Sequence, residues 1–408
     1  LPENFKDNWE AAVKTYPEDI PFFLEDDFID YIMEEFSFIS EFKNMFKEGA
    51  EVARRDKRVS HIAWLWYHMC YVSGDWNNIY SWPNMNSIIG IHGNMIPILV
   101  LFAGYENMLD FYKERNIPEE IIAANYHGIQ ISFNWFKKMY EKPGVGNNVL
   151  AWAVRYFTGV LFYIGRLQYE FRDFGNKILV YRNRNTGEAI CLLEDGQVFR
   201  GDGQYDGTNG IIDEKGAWTS KFREFNGLIQ GNAAAPKSYA IDKPVTLKAD
   251  EWELVLKRDD PVLSIHIPAE GRLDYDALKE SFLRTEPFFS TYFPDYNWQA
   301  LVCNTWLLDT KLRDFLRDDS NIVKFQDSFY LYPLYSPNNT GVYRFLFGTD
   351  EQDPEKLEAK SSLQRNVRDY LMDGGKIKLG GGFLLRQDLD KPRGYYQDRW
   401  NNTLVDIL

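Results

Sequence analysis

Cysteine, histidine and uninterrupted apolar runs are all scarce in this chain, and each shortage removes a class of protein. Cys70, Cys191 and Cys303 are the only cysteines among 408 residues. Three widely spaced thiols make neither a disulfide framework nor a zinc pattern, and they fit a reducing cytoplasm. Of the five histidines, His61 and His68 fall two turns apart on one helix face and read as structural, so no metal is expected. Basic residues are outnumbered, 46 Lys and Arg against 60 Asp and Glu, for a net charge of −14. That leaves no cationic excess for nucleic acid or an anionic membrane surface. The most membrane-like run, Ile88–Gly104, is short and broken by His92, Asn94 and Pro97, so it reads as a buried helix rather than a span. No secretory leader pattern is seen, and a cytoplasmic location is expected.

What the chain has in quantity is aromatic surface, with 12 Trp, 25 Tyr and 29 Phe. Such a stock suits broad buried faces or an aromatic-lined pocket. At 408 residues the chain exceeds one typical core, and two domains are expected. Residues 1–145 read as helices: an apolar stripe over Phe28–Phe46, a second helix over Val52–Val72, and a third starting at Pro118. Pro143–Asn148 is the expected linker. A further helix is expected from Val149 to about Leu161, opening the second domain, 146–408.

After Leu167 the apolar period shifts from helical towards two. Asn185-Thr186-Gly187 is a hairpin signal between Lys177–Arg182 and Glu188–Leu193. Further strands are expected over Phe222–Leu228, Val245–Leu247, Glu251–Lys257, Ile322–Leu334 and Val342–Phe347, with a long helix over Glu355–Met372. The clearest unit lies between them. Val262–Ile267 and Ala300–Thr305 are short apolar runs suited to buried strands. Between them Leu278, Phe282, Thr285, Phe289 and Phe293 recur at helical spacing, with Asp274 as N-cap. A strand, helix and strand joined by connections this long form a parallel, right-handed crossover. The fold class is therefore α+β, a helical first domain followed by a mixed sheet with one parallel βαβ unit. Ligands in such sheets collect at strand C-termini, which here carry His266 on one strand and Cys303, Asn304 and Trp306 on the other.

Three segments resemble a bacterial acyltransferase family: Tyr163-Ile164-Gly165-Arg166-Leu167-Gln168-Tyr169-Glu170, Leu263-Ser264-Ile265-His266-Ile267-Pro268, and Val302-Cys303-Asn304-Thr305-Trp306-Leu307-Leu308-Asp309. Ser320–Phe325 continues the likeness. That family joins a helical N-acyltransferase N-terminal domain to a GNAT-like C-terminal domain. The resemblance implies transfer of an acyl group from acyl-CoA, with acetyl-CoA first in expectation, to an amine of a small-molecule or peptide acceptor. Such chemistry needs a base for the ammonium, a donor for the tetrahedral oxyanion and an acid for the thiolate.

His266 is the candidate base, because its neutral form is available near pH 7. Cys303 is a candidate nucleophile paired with His266, or the acid for the leaving thiolate; a free cysteine on an apolar strand also serves as plain core filling. Ser264 shares the strand face of His266. Arg166, Gln168 and Glu170 alternate, so a strand would aim all three the same way, towards a polar substrate or across a domain boundary. Asn304 and Trp306 complete the expected acceptor-binding set. Asp309 is explained by N-capping.

The pyrophosphate loop of GNAT enzymes, (Gln/Arg)-x-x-Gly-x-(Gly/Ala), is not found where the long C-terminal helix was expected to open. Gly348–Pro354 there carries three acids, which repel phosphate. Gly380-Gly381-Gly382 reads as a flexible loop. Asp202, Asp206, Gly207 and Asp213 partly echo a calcium loop but read as an exposed turn. Two rival functions follow: a carbohydrate-binding or carbohydrate-processing protein, from the Trp, Tyr and acid content, and a catalytically silent GNAT-like scaffold, from the missing phosphate motif.

Overall fold

The computed structural model describes residues 3–141, 145–338 and 340–401. The chain forms two compact units, Leu1–Tyr163 and Ile164–Leu408. Pro143 and Gly144 of the expected linker lie outside the described residues. The helix Asn147–Phe157 is almost wholly buried and packs on Glu119–Tyr140 and Ile96–Phe102 of the first unit. Its apolar faces make it part of the helical core, so the compact boundary falls after it rather than at the 143–148 segment.

The first unit is helical, in shorter pieces than the periodicity suggests. The Phe28–Phe46 stripe is divided among Asp26–Glu35, the 3-10 turn Ser37–Phe42 and Lys43–Arg55. The expected Val52–Val72 helix breaks at Asp56, whose side chain accepts from the Arg58 amide and so caps Lys57–Tyr71. An N-cap residue has extended backbone, which ends one helix as it starts the next. Ile88–Gly104 is likewise split, into Asn86–Ile89, a 3-10 stretch Gly90–Met95 and Ile96–Phe102. Gly90 sits at φ +64°, and every residue of Ile96–Phe102 is buried by protein. The wider segment Ile79–Glu114 has the length and apolar content to cross a membrane, but its backbone is broken and its most apolar turn faces the core.

The second unit contains two main sheets. In the larger, the spatial order from Leu167–Asp173 onward is Leu167–Asp173, Pro261–His266, Ala300–Thr305, Gly380–Leu385, Tyr330–Pro333. Pro261–His266 and Ala300–Thr305 are its parallel pair, joined through the helix Tyr275–Tyr292. Asp274 accepts from the Ala277 amide as the N-cap. The crossover is thus built as its sequence dictates. The helix covers one face of the sheet: the Tyr169 hydroxyl and Ser281 hydroxyl lie 2.8 Å apart, and Phe171 packs edge-on against Phe289 and Phe293.

The second sheet carries the expected hairpin, as Ile178–Asn183 paired antiparallel with Ala189–Leu193. Leu228–Ala235 and Tyr239–Lys248 extend that sheet beyond the short strands expected there. It packs on the other face of the larger sheet, where the Tyr330 hydroxyl donates to Ala234 O and accepts from the Cys191 amide. Arg182 holds Asp388 through two bonds, 2.8 and 3.0 Å, and the Tyr396 hydroxyl donates to the same carboxylate.

Four expected elements differ. Ile322–Leu334 divides into a helix, Asn321–Gln326, capped by Ser320, and the strand Tyr330–Pro333. Val342–Phe347 is a π-helical turn over Tyr343–Phe347, since a consecutive apolar run does not discriminate strand from helix. The C-terminal helix starts at Ser362, where Ser361 and Gln364 form a reciprocal capping box. Gly380–Gly382 is not a flexible loop but part of a fully buried interior strand. A Cβ on Gly380 would stand 2.3 Å from Leu308 O, and one on Gly381 would stand 2.4 Å from the Tyr332 ring. Close approach, not flexibility, is why glycine occupies these positions.

Candidate active site

Strand register decides which side chains meet. Ser264 pairs with Glu170 and His266 with Gln168 across the antiparallel neighbour; Ser264 pairs with Val302 across the parallel one. Asn304 is opposite Gly381, and Gly381 is opposite Tyr332. Paired residues share a face, and alternate residues along a strand share it too. Gln168, His266, Asn304, Gly381 and Tyr332 therefore form one row across the sheet, on the face away from the crossover helix. The neighbouring row on that face holds Glu170, Ser264 and Val302.

His266 Nε2 lies 2.8 Å from Glu170 Oε2, and Arg172 Nε lies 3.2 Å from the same oxygen. Glu170 is 3% exposed. A buried carboxylate held by two donors from its own sheet fixes the imidazole plane and favours the proton on Nε2. Nδ1 is then the basic nitrogen. His266 itself is partly exposed, with 27% of its side chain open, and Asn304 is exposed although it lies on an interior strand. The sheet face is thus uncovered around these two residues.

The parallel ladder is registered only at Leu263–Leu301 and Ser264–Val302. His266 and Asn304 lie beyond the last registered pair, at the C-terminal ends of both strands. A loop, residues 267–274, leads from His266 into the crossover helix. Arg166 is in the turn before Leu167–Asp173, not on that strand, and it does not join Gln168 and Glu170 on the open face. Its guanidinium instead donates to the carbonyls of Arg272 (2.9 Å), Pro268 (3.2 Å) and Gly271 (3.2 Å), setting the shape of this loop.

Other expected residues fall elsewhere. Cys303 is buried on the opposite, helix-covered face from His266, its Sγ 3.7 Å from Ile265 O. Burial pushes its thiol up to about 12. It is core filling; the proposed thiolate pairing with His266 has neither the face nor the ionisation it needs. Trp306 is buried in an apolar cluster with Leu312, Val342, Leu357 and Val367. Asp309 caps the turn after Leu308 and also accepts from the amide and the ammonium of Lys378. Gln168 is buried opposite His266. Among the described residues, no group of three or more His, Cys, Asp and Glu is placed to hold a metal ion. Asp213 accepts from the Gly201 and Gly216 amides, which lowers its carboxyl below the usual range and makes it a turn residue. In the acidic Gly348–Pro354 loop, Asp350 pairs with Arg344, while Glu351 and Asp353 pair with Lys356.

Residues missed by sequence reasoning are Arg172, Asn176 and Tyr332. Asn176 Nδ2 donates to the Tyr332 hydroxyl at 2.6 Å and approaches Asn304 Oδ1 at 3.4 Å. Arg172 carried a signal, two residues after Glu170 on one strand. Asn176 and Tyr332 are 156 residues apart and carried none.

A mixed sheet with one parallel βαβ crossover, preceded by a helical unit and open at the strand ends that follow the parallel pair, defines a GNAT-like transferase fold. Residues 161–384 match the family described as GNAT-like C-terminal domain, more than half of the 408 residues, and the chain belongs to that family. Comparison with curated proteins gives no match. Among solved structures the chain is similar to an acyltransferase mutant in complex with octanoyl-CoA, at 17% identity and a TM-score of 0.63. It is equally similar, at 17% and 0.63, to an acyltransferase in complex with decanoyl-CoA and teicoplanin, and at 16% and 0.62 to one in complex with CoA and 10C-teicoplanin. Each likeness covers 94% of this chain and 96% of the other. At such identities the likeness establishes the fold.

Proposed function

We propose that this protein transfers an acyl group from acyl-CoA to an amine of a small-molecule or peptide acceptor, with His266 as general base. The observation that carries this reading is the His266–Glu170 pair, held at 2.8 Å on an open sheet face at the end of the parallel strand pair. A base must be oriented, accessible and partly charge-compensated to take a proton from an ammonium, and this imidazole meets all three requirements. His266 takes the proton from the incoming amine. The amine nitrogen then forms a bond to the thioester carbonyl carbon, the carbonyl oxygen becomes an oxyanion, and the C–S bond breaks as the carbonyl re-forms. The CoA thiolate is protonated by the imidazolium or by solvent. No acyl-enzyme forms, because Cys303 faces away from His266.

The donor is proposed to lie with its thioester beside His266 and its phosphates towards the 267–274 loop. That loop opens an 18-residue helix whose N-terminal charge is partly met by Asp274 and Asp276, and Arg166 braces the loop carbonyls. The sequence motif sought for this role before the C-terminal helix is replaced in position, not merely in spelling. Solved structures of similar fold hold octanoyl- and decanoyl-CoA, which supports a medium-chain donor over the acetyl group first expected. Solved structures of similar fold also hold teicoplanin and 10C-teicoplanin, which supports a small-molecule or peptide acceptor.

Calorimetric titration of the full chain with acetyl-, octanoyl- and decanoyl-CoA tests the donor. Saturable binding of one or more supports the reading, and no binding across the series removes it in favour of a silent scaffold. A carbohydrate-processing enzyme would need two carboxyl groups flanking a sugar at about 5–10 Å. Glu170, the carboxylate beside His266, is already engaged by His266 and Arg172, which disfavours that chemistry at this site.

A further inference from the structure

Direct transfer needs a donor for the oxyanion that forms on the thioester carbonyl, as well as a base for the amine. His266 fills only the second role. The row it shares on the open sheet face offers few groups for the first. Gln168 is buried, and Gly381 has no side chain. Tyr332 is fully buried, with its hydroxyl bound to Asn176 Nδ2 at 2.6 Å. Ser264 stands one row back from the strand ends. Asn304 remains.

Asn304 follows Ala300, Leu301, Val302 and Cys303, all buried, on a strand with neighbours on both sides, yet it is exposed. Asparagine is depleted in strands, because it packs poorly on a pleated surface. Its orientation is set from one side. Asn176 Nδ2, anchored on the Tyr332 hydroxyl, lies 3.4 Å from Asn304 Oδ1. One amide nitrogen has two hydrogens and serves both contacts. The anchor itself is fixed, since the Tyr332 ring is packed where a Cβ on Gly381 would stand. Asn304 Oδ1 is thereby turned towards Asn176. Its Nδ2, on the other branch of the carboxamide, has no hydrogen-bond partner among the described residues.

His266 and Asn304 are neighbours across the parallel strands, each two residues beyond Ser264 and Val302, the last registered pair. Neighbouring strands stand about 5 Å apart, while a general base and an oxyanion donor each reach about 3 Å. One tetrahedral adduct therefore spans both side chains, its nitrogen at the imidazole and its oxygen at the amide. A neutral amide suits this position. It holds an uncharged thioester oxygen weakly and an oxyanion about twice as strongly, and only that difference speeds the reaction.

We infer that Asn304 Nδ2 is the oxyanion donor of this site, with Asn176 as the positioning residue behind it. This role rests on the transferase reading above. As the amine nitrogen bonds to the carbonyl carbon, the C=O π pair moves onto oxygen and is held by the Nδ2–H. The pair returns as the C–S bond breaks and the thiolate takes its proton from the imidazolium or solvent.

The test uses the full chain with octanoyl-CoA carrying carbon-13 at the thioester carbonyl. Infrared difference spectra read the carbonyl stretch of the bound ligand, and calorimetry reads its affinity. On native protein the stretch is expected below that of free octanoyl-CoA, because a donor at the oxygen weakens the double bond. Asn304→Ala, and Asn304→Leu, which keeps the shape without the donor, are each expected to return it to the free value with affinity within threefold. Release of CoA thiol to hydroxylamine, an amine already neutral at pH 7 and so independent of the base, is expected to fall about 10²–10³-fold in both variants. Asn176→Ala is expected to reverse the shift in part at unchanged affinity, which a merely structural role would not do. An unshifted stretch on native protein, a shift that survives in both variants, or equal hydroxylamine rates overturns the inference and spares the transferase reading. Lost affinity with an unchanged stretch also overturns it, because Asn304 then touches the donor away from its carbonyl. No octanoyl-CoA binding at all removes the transferase reading and this role together.

Discussion

Glu170 Oε2 receives both the His266 imidazole, at 2.8 Å, and the Arg172 guanidinium, at 3.2 Å. The buried carboxylate is thus shared between the candidate base and a surface cation. Loss of Glu170 would remove this hold on the imidazole and on Arg172. Glu170→Gln is expected to lower kcat at least tenfold, with acyl-CoA affinity within twofold of the native value, because the residue positions the base without touching the donor. Glu170→Asp, which restores charge on a shorter stem, is expected to recover part of that loss. A purely structural role for Glu170 would instead lower the melting temperature of both variants and leave kcat per folded molecule intact.

Cys303 supplies a second prediction. Its thiol is buried, on the face opposite His266, and raised to about 12. Cys303→Ala is expected to retain turnover within about threefold. Native protein at pH 8 should resist alkylation at this position, which peptide mass spectrometry after iodoacetamide treatment would read. An acyl-thioester trapped on Cys303 would contradict the direct-transfer mechanism.

Gly381→Ala probes the interior strand where the Tyr332 ring lies over it. The added Cβ meets the Tyr332 ring at 2.4 Å, and overpacking of this kind costs about 1–3 kcal/mol. Tyr332→Ala opens a cavity of its own at this fully buried ring, so the clash is read from the cycle: in denaturant melts Gly381→Ala should cost markedly less in the Tyr332→Ala background than in the native one. Additive losses in the double variant would show that the ring is not the clashing group.

Asp388 is fully buried and is held by Arg182 and the Tyr396 hydroxyl. Removing one partner of a buried pair strands the other, at a cost of about 3–5 kcal/mol. Asp388→Ala should therefore lower the unfolding midpoint markedly, and more than Glu286→Gln does. Glu286 makes a two-pronged pair with Arg386, 2.6 and 2.7 Å, that is half exposed and worth about 1 kcal/mol or less. Hydrogen bonding to Arg386 lowers the Glu286 carboxyl below its ordinary value. A depressed carboxyl contributes stability above the unfolded-state pKa and loses it as pH falls through the folded one. The deficit of Glu286→Gln should accordingly be present at pH 7 and vanish in acid, below the ordinary glutamate range. A deficit independent of pH would contradict the ion pair.

The legible part of this fold was local. Asp274 as a cap, Leu278 and Phe282 at helical spacing and two apolar strands specify the crossover through short-range physics, and the parallel pair follows from the length of its connections. His266 was legible as a titratable residue at a strand end. Its partner was visible only as one member of an alternating trio, since the 96-residue separation of Glu170 and His266 is closed by strand register, which no local pattern encodes. Arg166 was misplaced because Gly165, at φ +62°, turns the chain just before the strand begins. Gly380–Gly382 was misread because glycine propensity favours a loop, whereas contact with Leu308 and Tyr332 requires glycine in a packed strand. The Asn176–Tyr332 contact was invisible, because 156 residues separate the two along the chain.

The central claim is that His266 deprotonates an amine that attacks an acyl-CoA thioester. The most direct measurement is CoA-thiol release from octanoyl-CoA in the presence of an amine acceptor, comparing native protein with His266→Ala and measuring donor affinity on both. The account predicts unchanged octanoyl-CoA binding and a fall in release of about 10²–10⁴-fold. Release by His266→Ala at the native rate would contradict it.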